Sequence, residues 1–142
     1  MSLRFLLDTN VLSEPLAPSP AAGVLEKLRR HEVEAATCAP VWHELVFGAT
    51  RLPASRKRSA IERYLADVVA ATLPILPYDA DAASWHGRER ARLATQGRAV
   101  PFVDGQIAAI AVVNDLTLVT RNARDYSRFS ELRVENWFGT KR

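Results

Sequence analysis

The chain of 142 residues contains a single cysteine, Cys38, and only three histidines. One cysteine cannot form an intramolecular disulfide or supply a thiolate metal cluster. His31, His43 and His86 are scattered along the chain, so the sequence does not predict a zinc site. No apolar run approaches the roughly 20 residues that span a bilayer, and the first residues lack the apolar stretch of a signal peptide. We therefore expect a cytoplasmic protein without membrane contacts.

Glycine-rich phosphate loops are absent as well, since neither G-x-x-x-x-G-K-S/T nor G-x-G-x-x-G occurs. The 19 basic and 16 acidic residues leave a net charge of only +3. Most of the cations are arginines, whose planar guanidinium groups suit phosphate. Clustered arginines also occur on solvated helix faces. The charge therefore permits nucleic-acid binding without establishing it.

Short apolar segments alternate with helical patterns from one end of the chain to the other. We predict strands at residues 3–7, 34–39, 75–76, 116–120 and 132–135, and helices at residues 20–30, 40–52, 55–71, 81–95 and 102–113. The strands are apolar on both faces, which is typical of a parallel sheet covered by helices on both sides. The predicted fold class is α/β, with one domain over residues 1–142 that forms a three-layer α/β/α sandwich around a central, mostly parallel sheet.

Four acidic residues stand out by their positions, and they are Asp8, Glu44, Asp104 and Asp125. Asp8 directly follows the first predicted strand, and Asp125 follows the fourth one closely. Each acid also has a purely structural explanation. Glu44 can reach solvent at the edge of its helix, and the three aspartates can cap helices or lie in their first turns. Asp79 and Asp81 also stand between a strand and a helix, and we interpret them as capping residues only.

The predicted architecture brings these four acids to one edge of the sheet, where open α/β sheets bind their ligands. Carboxylates about 4 Å apart repel each other by roughly 4 kcal/mol at an effective dielectric constant of about 20. Such a cluster would become protonated or destabilise the fold unless a cation were present. Mg²⁺ and Mn²⁺ are the hard cations that prefer sites made of oxygen atoms. The chemistry suited to such a site is metal-assisted hydrolysis of a phosphodiester.

Four segments occur in order along almost the whole chain, and they read LLDTNVLSE, HELVFGATR, GRAVPFVDGQIAAIA and LVTRNARDY. Together they resemble the PIN-domain family, and most of all the VapC-type toxins of toxin–antitoxin pairs. The resemblance implies a metal-dependent ribonuclease in which Mg²⁺ or Mn²⁺ is held by the acidic quartet, Asp8, Glu44, Asp104 and Asp125. It further implies that polar residues orient these carboxylates, namely Thr9, Asn10, Thr120 and Asn122.

The resemblance also implies partners. Members of the family form homodimers, and a cognate antitoxin blocks the active site and tethers the complex to operator DNA. We expect four arginines near the cleft to guide the RNA backbone, and they are Arg121, Arg124, Arg51 and Arg56. The sequence departs from the family at Tyr126, where phenylalanine is commoner, and we expect this exchange to leave the chemistry intact.

Two other interpretations compete with a nuclease. A haloacid-dehalogenase-type enzyme also begins with a strand that ends in aspartate, but it needs a second acid two residues later, where this chain has Asn10. A PIN-fold module that binds nucleic acid or protein without catalysis is the second alternative. Such a module would gain nothing from four crowded acids.

Overall fold

A computed structural model describes residues 2–139. Residues 1 and 140–142, which form the two ends of the predicted domain, lie outside the described part. The strands are β1 Phe5–Leu7, β2 Ala35–Cys38, β3 Ile75–Leu76, β4 Thr117–Val119 and β5 Val134–Glu135. They form one sheet in the order β3-β2-β1-β4-β5. Every pairing between these five strands is parallel. The predicted α/β/α sandwich is confirmed, and its sheet is parallel throughout.

Helices separate the first four strands, as the alternating pattern predicted, and a 3-10 turn, Ala123–Tyr126, lies between β4 and β5. The helices are α1 Thr9–Leu12, α2 Ala22–Arg30, α3 Ala39–Thr50, α4 Arg56–Tyr64, α5 Ala70–Thr72, α6 Ala80–Thr95 and α7 Phe102–Val113. The prediction of one helix over residues 55–71 was too simple, because a π-helical segment, Leu65–Val69, separates α4 from α5. The short helix α1 was not predicted. No helix within residues 2–139 is long and apolar enough to cross a membrane.

The central position of β1 determines where a site can form. Phe5 of β1 pairs with Ala35 of β2 on one side and with Thr117 of β4 on the other. All three residues of β1 are buried, since the apolar core lies against both faces of the sheet. Because the chain leaves β1 toward β2 and later returns to its other side, the carboxyl end of β1 lies at a topological switch point, where such sheets bind ligands.

The contact between α6 and α7 depends on the absence of a side chain at Gly105. A Cβ atom added there would lie only 2.1 Å from Nε2 of His86. The His86 ring is 2% exposed, and its Nδ1 lies 2.8 Å from the Tyr78 hydroxyl. Its Nε2 has no hydrogen-bond partner in the described part of the chain. Gly105 thus lets the His86 ring fill the space beside the first turn of α7, directly after Asp104.

Candidate active site

A cleft of about 230 Å³ opens at the carboxyl edge of the sheet and contains all four predicted acids. Its lining consists of Asp8, Thr9, Asn10, Glu44, Asp104, Ile107, Asn122, Asp125 and Tyr126. Three of the four predicted supporting residues belong to this lining, and Thr120 lies directly behind it. The sequence analysis did not predict that Ile107 and Tyr126 line the cleft.

Asp8 is the most buried of the four acids, with 6% of its surface exposed. Its Oδ1 accepts a hydrogen bond from the Thr9 N–H at 2.8 Å, and its Oδ2 accepts one from the Thr120 hydroxyl at 2.7 Å. Burial raises the pKa of Asp8, the two hydrogen bonds oppose this rise, and the charge of Glu44 adds to it. Asp8 therefore caps α1 and faces the cleft at the same time, so the two explanations of this residue do not exclude each other.

Thr120 joins the loops that follow β1 and β4. While it donates to Asp8, its hydroxyl oxygen accepts from the Asn10 amide at 3.4 Å and from the Asn122 N–H at 3.1 Å. The Arg121 N–H donates in turn to Asn10 Oδ1 at 3.0 Å. Thr120 is fully buried. This network fixes the orientation of the Asp8 carboxylate relative to both loops.

Glu44 projects from α3 and is exposed to solvent, yet it also lines the cleft. Thr9 donates a hydrogen bond to its Oε1 at 3.2 Å. Glu44 therefore reaches solvent and faces the cleft at the same time, because the cleft itself is open to solvent. The Asn122 side chain forms no capping hydrogen bond to the 3-10 turn Ala123–Tyr126, which carries Asp125. Asp79, by contrast, caps α6 by accepting from the Ala82 N–H at 3.0 Å, as predicted.

Asp104 lies in the first turn of α7 and is half-buried. Burial raises its pKa above the ordinary range, and the negative charges of the other three acids raise it further. The nearby Tyr126 hydroxyl acts in the opposite direction and lowers the pKa of Asp104. Burial also raises the pKa of Tyr126 itself, so this hydroxyl keeps its proton and can act as a donor. The residue that departs from the family pattern therefore acts directly on one of the four acids.

The chemistry of these side chains fits a hard divalent cation. They offer carboxylate oxygens without competing nitrogen or sulfur ligands, and none of the four acids forms an ion pair with a described basic residue. Their mutual repulsion is visible in the raised pKa of Asp104. No three acidic, histidine or cysteine side chains within residues 2–139 are already arranged to hold an ion. The carboxylates would therefore have to draw together around a cation.

The four predicted arginines are all exposed, and none of them lines the cleft. Arg121 and Arg124 lie on the β4 side, next to the loop that carries Asp125. The Arg121 guanidinium carbon lies 4.5 Å from the centre of the Phe138 ring. Arg51 follows the last residue of α3, the helix that carries Glu44, and Arg56 begins α4. The four arginines thus lie, in the chain, close to two of the segments that supply acids to the cleft.

Comparisons with known proteins agree with this geometry. A family model described as the PIN domain matches residues 5–132. A protein of Shigella flexneri named tRNA(fMet)-specific endonuclease VapC is 34% identical to this chain over 137 residues, which cover 95% of this chain and 98% of that protein.

Solved structures show the same similarity. The crystal structure of FitAcB from Neisseria gonorrhoeae matches with a TM-score of 0.87 and 30% identity, over 96% of this chain and 99% of that one. DNA-bound VapBC from Salmonella typhimurium matches with a TM-score of 0.81 and 28% identity, over 95% and 98%. The chain therefore belongs to the PIN-domain family and, within it, to the VapC type.

Proposed function

We propose that this protein is a metal-dependent endoribonuclease that acts as the toxin of a type II toxin–antitoxin pair. The observation that carries the proposal is the cleft in which four acids meet at the topological switch point without an ion-pair partner among residues 2–139. Relatives named as a tRNA(fMet)-specific endonuclease and as the toxin FitB support the ribonuclease activity and the toxin role. A structural protein would not gain from this arrangement, because crowded carboxylates destabilise a fold unless a cation compensates them.

Asp8, Glu44 and Asp104 would hold one Mg²⁺ or Mn²⁺, and Asp125 would contact a second ion or a bound water molecule. The ion supplies charge that offsets the phosphate and activates water for hydrolysis. The chain itself supplies orientation, since Thr120 and the Thr9 N–H fix both oxygens of Asp8. Arginines beyond the cleft would hold the RNA backbone through its phosphates, which makes RNA binding sensitive to salt.

The proposal extends to partners and to location. Solved structures similar to this chain include FitAB and VapBC assemblies bound to DNA and a member of the VapBC family of toxin–antitoxin systems. We infer that a cognate antitoxin binds this protein, that operator DNA is contacted only through the antitoxin, and that the toxin forms a homodimer. A single reduced cysteine and an RNA substrate are consistent with the cytoplasm.

The test compares Asp8→Asn with the wild-type protein and uses purified transfer RNA with Mn²⁺ or Mg²⁺. We expect the rate of cleavage to fall at least about 100-fold. Even the loss of a residue that only hydrogen-bonds to a metal ligand lowers metal affinity or activity about 10- to 100-fold. The fold should persist, since asparagine caps a helix about as well as aspartate. Initiator and elongator transfer RNAs, assayed separately, would reveal the substrate preference.

Asp79→Asn is the matched control, because Asp79 also stands between a strand and a helix but lies outside the cleft. It should cut RNA at the wild-type rate. Undiminished cleavage by purified Asp8→Asn would refute the assignment. Binding of RNA without any cleavage by the wild-type protein, together with no thermal stabilisation by Mn²⁺, would instead favour a module that only binds.

A further inference from the structure

A second cavity of about 310 Å³ adjoins the acidic cleft. The two cavities share Thr9 and Glu44, whose side chains are hydrogen-bonded to each other. The rest of this side cavity is mostly aliphatic, with walls formed by Leu16, Leu45, Ile61 and Leu65. Its volume is at the lower end of the range for cavities that bind small organic groups, about 300 to 1,000 Å³. The four acids account for the cleft but leave the side cavity without a role.

We propose that the side cavity binds one unstacked nucleobase of the RNA strand whose phosphate lies in the acidic cleft. This inference rests on the proposed ribonuclease function and names a specificity site for it. Sequence-specific RNA recognition generally targets bases that are splayed out of the strand into protein pockets. The aliphatic walls can contact the two faces of a base. The hydroxyls of Thr9 and Ser13 can each donate or accept a hydrogen bond at its edge.

The order of charges along the surface favours RNA over a protein segment as the occupant of the side cavity. The cleft holds four acids that a divalent cation would convert into a phosphate site, and the side cavity beyond it is nearly neutral. Arg51 is two residues after Ala49, which lines the cavity, and Arg56 begins α4, the helix that supplies the lining residue Ile61. Neither arginine has an ion-pair partner among residues 2–139. One RNA strand would place a phosphate in the cleft, a base in the side cavity and a further phosphate at the two arginines.

Gly48 provides a direct test, because it lines the side cavity and a Cβ atom added there meets nothing within 4 Å. Helical side chains lean toward the preceding turn, so Gly48→Leu would fill the space beside Glu44. Gly87→Leu is the matched control, since Gly87 is also helical, has equally open surroundings and lines neither cavity. Gly48→Ala adds only one methyl group, so it should have a smaller effect in the same direction.

The experiment measures the binding of labelled single-stranded oligoribonucleotides by fluorescence anisotropy, with each base in turn replaced by an abasic site. The proteins carry Asp8→Asn so that binding is read without cleavage. Removing the base that occupies the cavity should weaken binding to the parent protein about tenfold. Gly48→Leu should bind intact RNA about tenfold more weakly and should no longer respond to that abasic site. Gly87→Leu should keep the parent pattern, and thermal unfolding should show that all variants remain folded.

Two outcomes would overturn the proposal. In the first, folded Gly48→Leu binds RNA like the parent and responds to every abasic site in the same way. In the second, it binds RNA normally but no longer binds its antitoxin, which would assign the cavity to a protein side chain. Both results leave wild-type cleavage intact, whereas failure of the ribonuclease function would appear as a wild-type protein that does not cut RNA at all.

Discussion

Gly105→Ala tests whether the packing of α6 against α7 positions the acidic cleft. The added Cβ would lie 2.1 Å from Nε2 of His86 and 2.6 Å from its Cδ2, whereas ordinary contact begins at 3.4 Å. The two helices must therefore separate by about 1.3 Å at this point, or the imidazole must move. The ring cannot move freely, because it lies 2.8 Å from the Tyr78 hydroxyl and its centre lies 4.8 Å from that of Phe102.

The expected change in the free energy of unfolding is the sum of two opposing contributions. Overpacking of a tight core costs about 1 to 3 kcal/mol, and this contact should reach the upper end because the obstacle is a buried ring. Replacing a helical glycine by alanine contributes at most about 1 kcal/mol in the opposite direction. We expect a net loss of about 2 kcal/mol, which lowers the melting temperature by about 5 to 8 °C in a domain of this size. Since Asp104 precedes Gly105, affinity for Mn²⁺ should fall as well.

Thermal and urea unfolding measure the first effect, and calorimetric titration with Mn²⁺ measures the second. Gly87→Ala is the control with the same chemical change, because an added Cβ at Gly87 meets nothing within 4 Å. It should stabilise the protein by up to about 1 kcal/mol. If Gly105→Ala is as stable as Gly87→Ala and binds Mn²⁺ like the wild type, the packing does not position the site.

Two further changes probe neighbouring contacts. Tyr126→Phe removes the hydroxyl that lowers the pKa of Asp104, so Mn²⁺ should bind about tenfold more weakly in calorimetry. An unchanged affinity would mean that the hydroxyl does not support the site. Glu89→Gln addresses stability, since Arg92 and Ser130 hold the pKa of Glu89 at about 2, below its ordinary 4.5. In urea unfolding, the free energy of unfolding of the wild type should therefore fall by about 1 kcal/mol more than that of the variant as the pH falls from 4.5 toward 2. The difference is no larger because Arg92 is partly exposed and solvent screens the ion pair. Parallel pH profiles would contradict this.

The order of strands and long helices was predictable because their apolar periodicity is strong. The strand at residues 75–76 and the helix at residues 102–113 have the predicted bounds, and the other strands and long helices differ from theirs by one or two residues at one or both ends, apart from the segment after Tyr64. There the helical pattern continues through Leu65–Val69, but its hydrogen bonds shift to the π type. The short helix α1 has too few residues to show a periodicity, and its cap, Asp8, was itself ambiguous.

The candidate site was predictable in its residue types but not in its hydrogen bonds. The positions of Asp8 and Asp125 after strands indicated the edge of the sheet, because carboxyl ends of parallel strands lie together. The effect of Tyr126 on Asp104 could not be predicted from spacing, since it depends on where the tyrosine side chain lies in the cleft. In the sequence, Tyr126 is marked only by its departure from the family pattern, and the expectation that this exchange leaves the chemistry intact stays a prediction. The need for glycine at position 105 could not be predicted either, because it depends on the position of the His86 ring, which comes from a different helix.

The central place of β1 also determines when the cleft can exist during synthesis. Phe5 pairs with Thr117, and Asp8 is held by Thr120, which is 112 residues later in the chain. Asp104 and Asp125 are synthesised in the last third of the sequence. A growing chain on the ribosome therefore has no assembled cleft until most of it has been made, and a product that ends before α7 lacks two of the four acids. For a protein proposed to cut RNA, cleavage can therefore begin only after most of its own chain has been made.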